Sequence, residues 1–539
     1  MSRKYLLPLA AAILVLSIGW LLFRPERTVV PGVRLVLLIA ADQFPQSFIE
    51  RYGSEFTDGL KYLLDNGVVF TEARYSHADT STCPGHAVLA TGTQPSRSGI
   101  ISNSWFDRRV GEKVYCVADS EFGRSPKLLL TDTIGDWLKQ QYKSARVLSA
   151  SAKDRAAIIL GGKAADQVFW YDKDRGGFTT SGFYAGGLPK WVRDFNDQDR
   201  LRQLFGSLWT ELYPLSPERA ELLQVVALDE GAFARRFPHA LGRTDTSVSP
   251  EFYGELYSTP FIDQFLGEFA EHLIAFNQAG ADETPDLVTL SFSALDTVGH
   301  EYGPNSREVF DTLMRLDRAL GTLLRYIDNR VGLEHVLIAF SADHGIQPLP
   351  EYRHTKNQPG WRESPIDTAC VQAVGKRLEQ RYGVTDLFSH HLYLDRERIA
   401  QHGLSVSAIE VLVKNDLEKC PLIEKVWLAS ELLRTEGSPT GVERQYVNGF
   451  HPARSPDFLI QLKEHALAAP DRKTEHGSPY DYDSHVPLIM VHPSLSPRRE
   501  VTAVEPLDIA PTIASFLGLE PPDEVQGRNI RDLLTAVTP

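Results

Sequence analysis

Val33-Arg-Leu-Val-Leu-Leu-Ile-Ala-Ala-Asp-Gln43 follows a Pro/Gly break at Pro31 and Gly32 and is a near-continuous apolar run. It lacks the polar–apolar alternation of a half-exposed strand. Such a run predicts a strand buried on both faces of a parallel sheet, with helices above and below. It ends in Asp42. An acid at the carboxyl end of such a strand lies where open α/β sheets bind ligands. On this stretch alone, Asp42 serves equally well as a turn or cap acid.

Working outward, the same pattern recurs. Ala145–Ser151 reads as a strand and delivers Ala152-Lys153-Asp154-Arg155. Asp286–Ser293 delivers Asp296 and His300, which are four apart and share one face of a helical turn. His335–Ser341 delivers Asp343-His344-Gly345, and Val486–Val491 follows His485. Val68–Phe70 is a short strand. Apolar spacing predicts helices over 55–66, 130–140, 260–278, 306–328 and 406–419, and one beginning at Asp508. The fold class is α/β, a central mostly parallel sheet flanked by helices. Residues 160–280, rich in aromatics and Gly pairs, read as insertion and active-site wall rather than sheet core. Residues 350–480 read as a second, cap-like insertion. The pair His390-His391 within it is given a structural role.

Composition bounds the function. Apolar content of 42% and charged content of 23% fit a globular chain with a large core. The net charge of −14 argues against a general nucleic-acid binder. Residues 5–23 carry no charge and follow Arg3 and Lys4, so residues 1–30 read as an export signal retained as a membrane anchor, with the body outside. A cleaved signal peptide is the alternative. Four cysteines, Cys83, Cys116, Cys370 and Cys420, permit two disulfides in an exported chain, and spacing leaves all three pairings open.

Tyr75-Ser-His-Ala-Asp-Thr-Ser-Thr82-Cys-Pro-Gly-His-Ala-Val-Leu-Ala-Thr-Gly92 is a polar loop entering a helix. Thr82 suits the N-cap, Pro84 the first turn and Gly92 the stop. Most Thr-x-Pro helix starts are plain caps, but a hydroxyl at a helix N-terminus can also meet a phosphate. Lys153 and Arg155 have a solvated basic loop as their bland reading and an oxyanion clamp as their functional one. The strand-end groups Asp42, Asp296/His300 and Asp343/His344, with the loop His485, offer six carboxylate and imidazole ligands and no thiolate. That set suits zinc, with manganese or iron as alternatives.

In this order, strand-Asp42, Thr82-Cys-Pro-Gly-His86, Asn103, Asp296-x-x-x-His300, Ala342-Asp343-His344-Gly345, His476-Gly-Ser…His485-x-Pro-Leu and Asp508-Ile-Ala-Pro-Thr resemble the alkaline phosphatase superfamily, and within it the type I phosphodiesterase/nucleotide pyrophosphatase branch. Ser151-Ala-Lys153-Asp-Arg155 makes the chain most similar to bacterial secreted zinc alkaline phosphatases that use threonine. The resemblance implies an alkaline-phosphatase-like catalytic domain over 31–539 and two Zn2+ ions. One ion would be held by Asp296, His300 and His485, the other by Asp42, Asp343, His344 and the nucleophile Thr82. It also implies that Asn103, Lys153 and Arg155 hold phosphate oxygens. His86 is expected to be supporting or structural. The implied activity is hydrolysis of small-molecule phosphate monoesters, with broad range, through a phosphothreonine. The alternative is a phosphodiesterase or nucleotide pyrophosphatase using the same ions. No nucleic-acid binding is expected. A periplasmic or extracytoplasmic location, attachment to the inner membrane by the N-terminal segment and a monomeric state are expected.

Overall fold

The computed structural model describes residues 32–214, 237–242, 247–384, 392–435, 437–468 and 474–535. The expected anchor and His390-His391 lie outside these residues. Among the described residues no helix is long and apolar enough to cross a membrane.

The principal elements, in chain order, are β1 (Leu35–Ala41), α1 (Gly59–Asn66), β2 (Val68–Arg74), α2 (Thr82–Thr91), β3 (Ser104–Asp107), β4 (Glu112–Tyr115), α3 (Ile134–Gln141), β5 (Val147–Ser151) and α4 (Asp154–Gly161). There follow β6 (Gln167–Asp172), β7 (Gly177–Thr179), α5 (Phe261–Asn277), β8 (Asp286–Phe292), α6 (Ala294–Tyr302), α7 (Arg307–Arg330) and β9 (Val336–Ser341). The remainder comprises α8 (Pro365–Tyr382), α9 (Val406–Leu417), β10 (Ile423–Leu428), α10 (Gly441–Gly449), β11 (Phe458–Leu462), β12 (His485–Val491), β13 (Arg498–Glu500) and α11 (Ile509–Leu517).

Nine strands form one sheet in the order β13-β2-β12-β9-β1-β8-β5-β6-β7. β1 lies at its centre, parallel to β8 and to β9, while β12 and β7 run against their neighbours. All seven residues of β1 are buried. Leu35, Leu37 and Ile39 enter one hydrophobic cluster with α1, α5 and α7; Val36 and Leu38 enter the other with α3 and α11. The period-2 pleat thus feeds two helical layers, which is why the run shows no alternation. Each fully buried Leu or Ile here stabilises the fold by about 1.5–3 kcal/mol.

One expectation needs correcting. Residues 167–179 belong to the central sheet, although their turn still supplies pocket wall: β6 pairs with β5, and β7 folds back on β6. Gly176, at φ 68°, makes the turn between them. Phe169, Tyr171 and Phe178 pack on α5, with Phe178 stacked on Phe269 at 3.8 Å between centroids. The flanking Gly pairs resemble loop signals, but they bracket a strand too short to show a period.

Segment 392–462 forms a smaller unit, with β10 antiparallel to β11 and its own apolar cluster. Disulfides join Cys83 to Cys116 and Cys370 to Cys420.

Asp317, buried on α7, holds the start of α1. Its carboxylate accepts from the backbone N–H groups of Thr57, Asp58, Leu60 and Lys61 at 2.7–3.3 Å. Asp317→Ala leaves these donors unpaired and should lower the unfolding free energy by about 2–4 kcal/mol. Asp317→Asn, with one acceptor oxygen, should lose about half as much by the same reasoning. Urea denaturation monitored by circular dichroism checks both.

Candidate active site

The parallel strands deliver their loops to one rim. There Asp42, Asp343 and His344 form one group whose ligand atoms lie within 4.8 Å of one another. Asp296, His344 and His476 form a second, and His300, Glu475 and His476 a third that adjoins it. On α6, the one-turn spacing brings His300 Nε2 to 3.2 Å from Asp296 Oδ1.

Three imidazoles share one arrangement. Nδ1 of His300 lies 2.9 Å from the Thr474 carbonyl, Nδ1 of His476 3.0 Å from that of Thr80, and Nδ1 of His344 2.9 Å from that of Gly345. Against burial, Asp296 lifts His476 to about 9, so a metal would displace an Nε2 proton there. A carbonyl only accepts, so each Nδ1 carries a hydrogen and each Nε2 would give its lone pair to a bound cation. This is the tautomer that metal-binding histidines adopt when a backbone group fixes the other nitrogen.

The electrostatics call for a cation. Asp42, Asp296 and Asp343 are buried together. Lys153 Nζ lies 2.5 Å from Asp42 Oδ2 and from Asp296 Oδ2, where the two groups meet. Burial and the Asp343 charge push Asp42 well above the ordinary carboxylate range, against Lys153. Burial would raise Asp296 as well, but Lys153 and His300 hold it well below that range. Burial lowers His344 to about 3, so it is neutral. Among the described residues Asp42 Oδ1 and His344 Nε2 are buried without a hydrogen-bond partner, while Asp42 Oδ2 faces Lys153 and Asp343 Oδ2 faces His86. Converging buried carboxylates and imidazoles, with the neutral His344 Nε2 and Asp42 Oδ1 aimed into the group and no thiolate present, fit a divalent metal of the zinc type.

His485 does not join this cluster. Its Nε2 lies 2.7 Å from the Thr71 carbonyl, and its Nδ1 3.3 Å from Arg74. The antiparallel course of β12 puts His485 opposite Arg74 on β2, at the flank of the sheet. His476, in the preceding loop, occupies the position beside Asp296 and His300 that the sequence reading gave to His485.

The α2 start also differs from expectation. Ser81 is the N-cap residue and Thr82 the first helical one, so the Thr82 hydroxyl is not spent on capping. Arg155 Nη2 lies 3.3 Å from Thr82 Oγ1, while its buried Nε has no partner. Asn103 accepts the Cys83 N–H at 2.8 Å through Oδ1, which leaves its Nδ2 hydrogens for the pocket it lines. His86 ties the parts together, with Nδ1 2.8 Å from the Thr82 carbonyl and 3.2 Å from Asp343 Oδ2, and Nε2 2.8 Å from Ser291 Oγ. Gly85 lets α2 lie directly on the loop of Asp343 and His344, since a Cβ there would stand 2.1 Å from the Asp343 carbonyl oxygen.

The resulting pocket, about 710 Å³, is lined by Asn103, Lys153, Arg155, Asp296, His300 and His476, and by a residue the sequence reading missed, Lys173. Lys173 comes from the β6–β7 turn, and its Nζ stands 3.4 Å from the Tyr257 ring centre. Burial depresses its pKa, and Arg155 and Lys153 add to the effect. Nothing in its sequence context separates it from an ordinary turn lysine.

A sequence profile described as type I phosphodiesterase / nucleotide pyrophosphatase matches residues 36–478. The chain is 29% identical to alkaline phosphatase PafA of Elizabethkingia meningoseptica, over 96% of this chain and 98% of that protein. It is 31% identical to alkaline phosphatase PhoD of Zymomonas mobilis, over 92% of this chain and 88% of that one. The crystal structure of wild-type PafA superposes with a TM-score of 0.84 at 28% identity, covering 94% of this chain and all of that one. The chain therefore belongs to the type I phosphodiesterase / nucleotide pyrophosphatase family.

Proposed function

We propose that this protein is an alkaline phosphatase that hydrolyses phosphate monoesters through a phosphothreonine on Thr82, using two zinc ions. One observation carries the reading: a hydroxyl free of capping duty stands beside Arg155, and Lys153 lies between two acid–imidazole groups. A monoester dianion carries more charge than a diester, so these cations favour it selectively. The names of the full-length relatives agree.

Asp42, Asp343, His344 and Thr82 would hold one ion; Asp296, His300 and His476 the other. Bound zinc would supply Lewis-acid charge stabilisation at the attacking and leaving oxygens. Thr82 Oγ forms the bond to phosphorus as the ester P–O bond breaks and the alcohol leaves. Water then cleaves the phosphothreonine, releasing phosphate and restoring the hydroxyl. Asn103, Lys153 and Arg155 hold the non-bridging oxygens throughout, donors placed where charge develops.

Initial rates on an aryl phosphate and its methyl diester test the reading. A large monoester preference is expected. The double variant Lys153→Ala, Arg155→Ala should lower monoester turnover on the order of 10²–10³-fold and diester turnover much less. Equal losses would refute the clamp, and a wild-type diester preference would make the protein a phosphodiesterase of the same fold.

The two disulfides support an extracytoplasmic location. We extend the proposal to residues 1–30 as signal and anchor, residues 31–539 as one catalytic domain acting as a monomer, and the second insertion as its cap.

A further inference from the structure

A second cavity, of about 360 Å³, lies between the β3 hairpin and segment 392–460. It shares Asp79, Ser102 and Gly477 with the catalytic pocket, so the two adjoin. Their walls differ in kind. The catalytic pocket is faced by charged and amide groups; the second cavity joins Trp105, Phe106, Tyr393 and Tyr446 to a single lysine, Lys113, and the shared Asp79.

These rings are fixed from behind. Arg454 lies over Trp105 at 5.0 Å and Arg108 over Tyr393 at 4.4 Å, and Phe106 packs on Tyr393 at 5.3 Å. The Tyr393 hydroxyl donates to the Arg454 carbonyl and the Tyr446 hydroxyl to the Ile460 carbonyl. With their polar ends spent on backbone, the tyrosines offer a ligand ring surface. A rigid aromatic wall of this size fits a planar apolar group.

Position says which part of a substrate enters. α2, carrying Thr82, packs on Asp343 through Gly85, whereas the cavity meets the pocket at Asp79, Ser102 and Gly477, the last next to His476 in sequence. In-line transfer sets the attacking and departing oxygens on opposite sides of phosphorus. The departing alcohol therefore falls on the side of Asp296, His300 and His476, where the cavity begins.

We infer that this cavity is a leaving-group subsite for aromatic alcohols of about two fused rings, so that aryl monoesters are the favoured substrates. The inference rests on the phosphomonoesterase reading above. Gly449 at its edge gives a means of filling it: a Cβ there meets only the Ala78 nitrogen at 3.6 Å and His77 Cβ at 4.0 Å, so Gly449→Leu fits the backbone.

The experiment measures kcat/KM for 2-naphthyl, phenyl and methyl phosphate. Naphthol and phenol are of similar acidity, so the first two substrates differ chiefly in ring area. Wild type should favour naphthyl over phenyl. Gly449→Leu should lower the naphthyl-to-methyl ratio roughly tenfold, and Phe106→Ala should lower it several-fold. A ratio unchanged within about twofold in both variants, with methyl phosphate still hydrolysed, overturns the subsite alone. No wild-type turnover of any of the three overturns the phosphatase reading and the subsite with it.

Discussion

Thr82→Ala is expected to lower monoester turnover by on the order of 10⁴–10⁶-fold, the range seen when a covalent nucleophile is removed. The hydroxyl is almost wholly buried, makes no capping bond, and has Arg155 as its neighbour. Its loss leaves Asp42, Asp343 and His344 in place, so metal content should stay near that of wild type. Acid quenching during turnover of ³²P-labelled substrate should trap label on wild-type protein and none on the variant. Thr82→Ser should retain both label and most of the activity. Wild-type rates in the alanine variant would remove Thr82 from the mechanism.

The second large effect separates two histidines. His476→Ala should cut turnover by well over 10²-fold and lower zinc affinity, because loss of a supporting partner alone costs about 10–100-fold and loss of a direct ligand costs more. His485→Ala should leave both within a few-fold. His485 is engaged with the Thr71 carbonyl and Arg74, so its removal should cost about 1 kcal/mol of stability. Zinc titration against a competing chelator, run beside the kinetics, gives both readouts. If His485→Ala loses zinc and His476→Ala keeps it, the ligand role returns to His485.

Strand-borne features were the legible ones. The β1 run showed its two-sided burial directly, and the places of Asp42, Asp343 and His344 follow from where parallel strands end. The Asp296–His300 pair follows from helical spacing. His476 was hidden because a loop ligand has no period, and its partner carbonyl on Thr80 lies 396 residues away in sequence. The family resemblance makes His485 a loop ligand, but it is the first residue of β12, whose antiparallel course sets it opposite Arg74 on the neighbouring β2. β6 and β7 were missed because Gly pairs at a tight turn look like those of an open loop. The cysteine pairing, one of three arrangements by spacing, needed the fold to choose it.

The central position of β1 also bears on how the chain reaches its native state. Leu35 pairs with Asp286 on one side and with Val336 on the other, separations of about 250 and 300 residues. Contacts that distant delay folding, because the loop they close must be ordered before they form. A growing chain carries its most apolar strand without either partner until more than half of it has been synthesised. Any truncation before residue 286 leaves β1 with both edges bare, an aggregation-prone species. Asp42 shares that fate: the group it forms with Asp343 and His344 is incomplete until His344 has been added, and the adjoining group until His476, so catalytic competence should arrive late.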